Sequence, residues 1–150
     1  MEKQLSSRVK ATWESERKGE VAAPGIEPKI RFSAPPEFKG EPGFWTPEHF
    51  LLAAVASCFI VTFYALAARS GAESGKLDLS VEGKLSMFEG RLCFREIVLQ
   101  PTLTILQSQD LERAYGLLER TEQGCLIART LACPILMEPF VQAAEEILAQ

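Results

Sequence analysis

Four side chains in this 150-residue sequence have the type to do redox or nucleophilic chemistry: Cys58, Cys93, Cys125 and Cys133. Their successive spacings of 35, 32 and 8 residues contain no C-x-x-C pair, and His49 is the only histidine. A Cys/His zinc site therefore lacks ligands, and no metal or other cofactor is expected. Cys58 lies inside a long apolar stretch, where a free cysteine usually behaves as a small inert hydrophobe. To act as a nucleophile its thiol must ionise well below the ordinary ~8.5. A position in the middle of a helix gains nothing from the helix N-terminus, so some cation must come to it. Arginine, always charged and able to donate bidentate hydrogen bonds, is the suitable one. Cys125 follows Gly124 and Gln123 at an expected helix end, where the plain reading is an incidental boundary cysteine. Cys93 and Cys133 have no supporting context and read as structural.

The composition bounds the class of protein. The chain is long enough for one domain with a sizeable core, residues 1–150. Apolar residues make up 47% and charged residues 24%, ordinary for a globular protein. A net charge of −4, with no basic run longer than Arg17-Lys18, argues against a nucleic-acid partner. The polar, charged start from Met1 to Lys10 does not read as a secretory signal. A cytoplasmic, reducing location is expected, in which free thiols are the default.

The elements that must position the cysteines follow from pattern. Short strands fit Ser7–Trp13, Glu20–Ala23 and Lys29–Ser33, and Pro35–Phe44 reads as a loop. Thr46 is a suitable N-cap and Pro47 a suitable first helical residue. From Phe50 to Ala68, 17 of 19 residues are apolar, Ser57 and Thr62 being the exceptions. Such a run is formally a transmembrane candidate. Six of its residues are only alanine, and eight basic residues precede it and eight follow, so no positive-inside bias orients it. A core helix packed on every side is the better reading, with no membrane partner. Leu77–Phe88 alternates as a half-buried strand, Glu89-Gly90 makes a tight turn, and Arg91–Leu99 returns with a bulge near Arg95-Glu96. Ser108 is expected to cap a second helix that Gly124 stops. A last strand fits within Leu131–Val141, before a helical tail at Ala143–Gln150. The fold class is α+β.

One block carries a resemblance. The stretch from Trp45-Thr46-Pro47-Glu48-His49 to Ser57-Cys58-Phe59 resembles the signature of the OsmC/Ohr family, whose central helix bears the reactive cysteine. Glu122-Gln123-Gly124-Cys125 resembles that family's second cysteine, Arg17-Lys18-Gly19 its N-terminal hairpin, and Ala34–Gly40 its proline-rich approach loop. The similarity runs from about residue 8 to residue 141. It implies antiparallel sheets wrapped around a long buried central helix, in an intertwined homodimer with active sites at the interface.

The resemblance also implies roles. Cys58 would be the peroxidatic thiolate of a thiol-dependent peroxidase, and Cys125 its disulfide partner. Arg17 would keep the thiolate ionised and polarise the peroxide, with Glu48 orienting its guanidinium. Phe44, Trp45, Phe50 and Phe59 would line an apolar pocket favouring alkyl or fatty-acid hydroperoxides. An external dithiol, in the peroxidase branch a protein-bound dihydrolipoyl group, would reduce the disulfide. The chain departs from the strict peroxidase pattern, with Ser15-Glu16-Arg17 in place of Gly-Gly-Arg and Thr46-Pro47-Glu48 in place of Asn-Pro-Glu. It looks closer to the broader OsmC-like group, in which Arg8 or Arg31 could replace Arg17. The same fold serving as a redox sensor or small-molecule binder without turnover is the alternative reading.

Overall fold

The computed structural model describes residues 3–71 and 74–150. They fall into two compact units, Met1–Leu51 and Leu52–Gln150. The first is a three-stranded antiparallel sheet in the order β1-β2-β3, formed by β1 (Lys10–Ser15), β2 (Lys18–Ala23) and β3 (Ile26–Ser33). All three expected strands are present, each shifted or extended by a few residues because propensity locates turns less sharply than strands. Gly19 is required by this sheet: a Cβ there would lie 2.5 Å from the Thr12 carbonyl oxygen and 2.8 Å from Phe32 Cζ. The loop after β3 contains a short 3-10 turn, Pro36–Phe38, and ends on Gly40, packed so closely on the Ala34 carbonyl that no side chain fits.

The helix begins where expected. In α1 (Pro47–Ser70) the Thr46 hydroxyl accepts the His49 N–H at 3.3 Å, while His49 Nδ1 accepts the Thr46 N–H at 3.1 Å. This is a reciprocal capping box with histidine in the place usually held by glutamate or glutamine. It gives the sole histidine a structural task that its residue type did not suggest.

In the second unit a long hairpin pairs β4 (Lys76–Phe88) with β5 (Arg91–Ile105). Glu89 and Gly90 both have positive φ, 48° and 76°, the conformation of a tight primed turn. Lys84 faces Glu96 and Leu85 faces Phe94, which leaves Arg95 as the extra residue of a bulge at the expected place. Strand β5 runs past Leu99 through Pro101 to Ile105. The proline is tolerated because β6 (Ile135–Met137) pairs up to Leu99 and β7 (Phe140–Ala143) begins at Thr102, so Pro101 falls in the gap. Both short strands run parallel to β5, so this sheet is mixed rather than wholly antiparallel.

Helix α1 corrects one expectation. Its buried residues are Val55, Phe59, Phe63 and Ala67, a single stripe at four-residue spacing. They join Ile97, Leu99, Leu103 and Leu118 in one core cluster, each buried phenyl ring contributing about 1.5–3 kcal/mol. The helix is long and apolar enough to cross a membrane by length and composition. Its packed stripe nevertheless makes it the core helix of this unit. It is not covered on every side, for Val61 is 65% exposed and Ser57, Tyr64 and Ala68 share that open face.

Helix α2 (Leu111–Gly124) follows a 3-10 turn, Ser108–Asp110. Ser108 does not cap it: its hydroxyl and N–H both donate to Glu145 Oε1, at 2.5 and 2.7 Å, tying the turn to the first turn of α4 (Ala144–Leu148). Gly124 does end α2, and a five-residue helix, α3 (Leu126–Thr130), starts almost at once.

Candidate active site

Cys125 sits between two helices, closing α2 and preceding α3, with an extended backbone at φ −67° and ψ 107°. It is fully buried. The first N–H groups of any helix lack partners within it. Here they act on sulfur: the Leu126 and Ile127 N–H groups lower the Cys58 pKa, and those of Ala128 and Ile127 oppose the rise at Cys125. Cys58, half-buried on α1, is lowered as well by the Cys125 thiol and by the hydroxyl of Thr62 one turn on. Both cysteines are free thiols.

The two sulfurs are unequal. Burial pushes the Cys58 thiol up, but the Ile127 N–H, the Cys125 S–H, the Thr62 hydroxyl and the Leu126 N–H together outweigh it, and its pKa lies below the ordinary thiol value. Burial likewise raises Cys125, and there the Cys58 contact and charge reinforce it against the Ala128 and Ile127 N–H groups. Cys125 Sγ also lies 4.0 Å from the Val55 carbonyl oxygen. One S–H cannot serve two acceptors equally, and the thiolate is the stronger of them. The arrangement favours ionisation of Cys58 over that of Cys125.

The groups that lower Cys58 within the chain are backbone N–H donors and neutral side chains, which sequence reasoning did not name. Helix α3 is too short to leave a periodic signal, although Thr62, one of only two polar residues in the apolar run and one turn from Cys58, was visible.

The remaining expected site residues are placed differently. Arg17 lies exposed in the β1–β2 turn, where its backbone carbonyl accepts the Ala34 N–H at 3.0 Å. Glu48 is in the first turn of α1, and its Oε2 is buried with no hydrogen-bond partner among the described residues. The expected Arg17–Glu48 pair is therefore not formed within the first unit, because the hairpin tip leaves Arg17 in solvent. Arg31 is committed elsewhere, to Glu14 at 3.0 Å and over the Phe44 ring at 5.1 Å, and Arg8 is exposed ahead of β1. Phe44 and Trp45 line a pocket of about 280 Å³ with Gly43 and His49, and Phe50 stacks on Trp45 at 5.8 Å. Phe59 is not among the residues lining this pocket. It is fully buried in the core of the second unit, since it falls on the packed stripe of α1 one residue after Cys58. Cys93 on β5 and Cys133 before β6 are half-buried.

Comparison with known proteins bears on this arrangement. The family model described as OsmC-like protein matches residues 40–139. The uncharacterized protein YmaD of Bacillus subtilis is 28% identical over 128 residues, covering 82% of this chain and 84% of that protein. An OsmC-like protein of unknown function from Vibrio cholerae superposes with a TM-score of 0.80 at 19% identity, covering 91% of this chain and all of the other. An organic hydroperoxide resistance protein OsmC from Legionella pneumophila does so at 0.75 and 20%, covering 95% and 100%. At these identities the structural likeness establishes a shared fold.

Proposed function

The chain belongs to the OsmC-like protein family, and on that premise we propose that it is a thiol-dependent peroxidase reducing organic hydroperoxides. The observation that carries the reading is the unequal sulfur pair, Cys58 favoured as thiolate and Cys125 buried as thiol. The Cys58 thiolate attacks the distal oxygen of the hydroperoxide. The O–O bond breaks, Cys58 becomes a sulfenic acid, and the departing alkoxide takes up a proton to leave as the alcohol. The Cys125 sulfur then displaces hydroxide from the sulfenic sulfur; its proton goes with the hydroxide as water, and a Cys58–Cys125 disulfide forms. An external dithiol, such as a protein-bound dihydrolipoyl group, supplies two electrons by exchange and restores both thiols.

Arg17 and Glu48 belong to this proposal as the group that polarises the peroxide and the carboxylate that orients it. Neither finds the other within the first unit, which supports a second copy of the chain as the source of the missing half. A homodimer would also cover the open face of α1 around Val61. Phe44, Trp45 and Phe50 offer an apolar approach for the alkyl group of the substrate, and the reducing cytoplasm is the compartment in which such a dithiol cycle runs.

The test is consumption of cumene hydroperoxide with a dithiol by wild type, Cys58→Ser and Cys125→Ser. Turnover by wild type no faster than by Cys58→Ser would sink the peroxidase reading and leave a redox-sensing or ligand-binding role on the same fold. Mass spectrometry after one equivalent of hydroperoxide should find the Cys58–Cys125 disulfide. A link through Cys133 would remove Cys125 from its role.

A further inference from the structure

The turn that carries Arg17 is held in a way its own residues do not explain. Ser15 pairs with Lys18, so Glu16 and Arg17 form a two-residue loop between β1 and β2. In the primed turns that suit a hairpin, the first loop position is left-handed and is usually glycine, asparagine or aspartate. Here it is Glu16, at φ 47°, a conformation that a residue with a long side chain seldom adopts unaided. The strand just before adds a second irregularity. Trp13 pairs with Gly19, which leaves Glu14 as the extra residue of a bulge.

What fixes the loop comes from outside it. The Trp13 indole N–H donates to the Glu16 carbonyl oxygen at 2.9 Å, and the Ala34 N–H donates to the Arg17 carbonyl oxygen at 3.0 Å. These two carbonyls belong to the peptide planes on either side of the Arg17 Cα. With both planes held, φ and ψ of Arg17 are set, and with them the direction in which its side chain leaves the backbone. Lys18, the next residue, is tied to Glu41 at 2.7 Å. The Ala34 donor is backbone, which any residue supplies, whereas the hold on the plane before Arg17 needs an indole. Trp13 is itself 72% exposed, so burial is not what its ring contributes within the chain. We infer that Trp13 is a positioning residue for Arg17, its indole N–H fixing the turn so that the guanidinium is presented in one direction. The inference rests on the reading of Arg17 as the group that polarises the peroxide, and adds to it the residue that aims it. Such a group works only within about 0.5 Å of its productive place, so a loosened turn lowers the rate without removing the charge.

Trp13→Phe keeps an aromatic ring and removes the N–H. Peroxidase kinetics with cumene hydroperoxide compare wild type, Trp13→Phe, Arg17→Ala and the double variant. One hydrogen bond of ordinary strength corresponds to about fivefold, so Trp13→Phe should lower kcat/KM by about that factor. In the Arg17→Ala background the same substitution should change nothing, because the residue it aims is gone. An equal loss in both backgrounds would make Trp13 merely structural, and no loss in either would make it idle; both results overturn the inference. A second measurement needs no turnover. The NMR order parameter of the Arg17 amide should fall from about 0.85 toward 0.6 in Trp13→Phe, and an unchanged value would reject the hold. Absence of turnover by wild type would strike at the peroxidase reading and leave the order parameter to decide, as would an inactive Arg17→Ala. A lower sedimentation mass for Trp13→Phe would place Trp13 in a seam between two copies and also overturn the inference.

Discussion

The chemistry available to Cys58 is set by what donates to its sulfur. Three of the donors that lower it lie on the segment 125–127 and the fourth, Thr62, is its neighbour one turn along α1. Since the thiolate reacts and the thiol does not, alkylation of Cys58 should accelerate with rising pH around a midpoint below the ordinary ~8.5. Thr62→Val removes one donor at nearly constant volume and should move that midpoint upward, as should Cys125→Ala. The check is iodoacetamide labelling against pH with Cys93 and Cys133 replaced; an unmoved midpoint in both variants would mean that these side chains do not hold the charge. Cys125, buried and raised, should label far more slowly than Cys58 at every pH below the ordinary thiol range.

At the scale of elements, α1 has two jobs on two faces. The stripe of Val55, Phe59, Phe63 and Ala67 carries packing, and the line of Cys58 and Thr62 presents the lowered thiol and one of the groups that lower it. Phe63→Ala empties a fully buried site and should cost about 3–5 kcal/mol in denaturant unfolding, while leaving helix content intact below the transition. The start of the helix rests on the reciprocal Thr46–His49 bonds, and Thr46→Ala should cost about 1 kcal/mol by the same measurement. A loss of less than a few tenths would show that the cap is idle. Helix α3 is small, but its first turn brings backbone donors to both sulfurs, so the break after Gly124 matters as much as the helices on either side.

For the whole molecule, the open face of α1 is the feature a single chain leaves unexplained. Ser57, Val61, Tyr64 and Ala68 share one side of the helix, and Val61 stands 65% exposed. If a second copy covers this face, Val61→Glu or Ala68→Glu should halve the mass seen in sedimentation equilibrium, since an unpaired carboxylate in that seam is costly to desolvate. An unchanged mass would exclude α1 as the dimer face. The same experiment bears on Arg17, whose proposed contact with Glu48 needs the second copy: peroxidase activity should fall with the dimer.

Much of this was legible in the residues. The Thr46-Pro47 start, the Gly124 stop, the Glu89-Gly90 turn and the Arg95 bulge are local events, decided by backbone propensity within a few positions, and they stand where pattern put them. The Cys58 and Cys125 blocks could be matched to a family because their neighbours are specific in sequence. Tertiary structure alone decided the rest. Burial of α1 on one stripe, the burial of Phe59 in the core and the parallel pairing of β6 and β7 depend on which distant residues meet. So does the activation of Cys58: its partners at positions 125–127 are some 67 residues away, and backbone N–H groups carry no signature in an amino-acid sequence. Cys58 could be matched to the family's cysteine position from its block, but the donors that lower its pKa emerge only when the chain is folded.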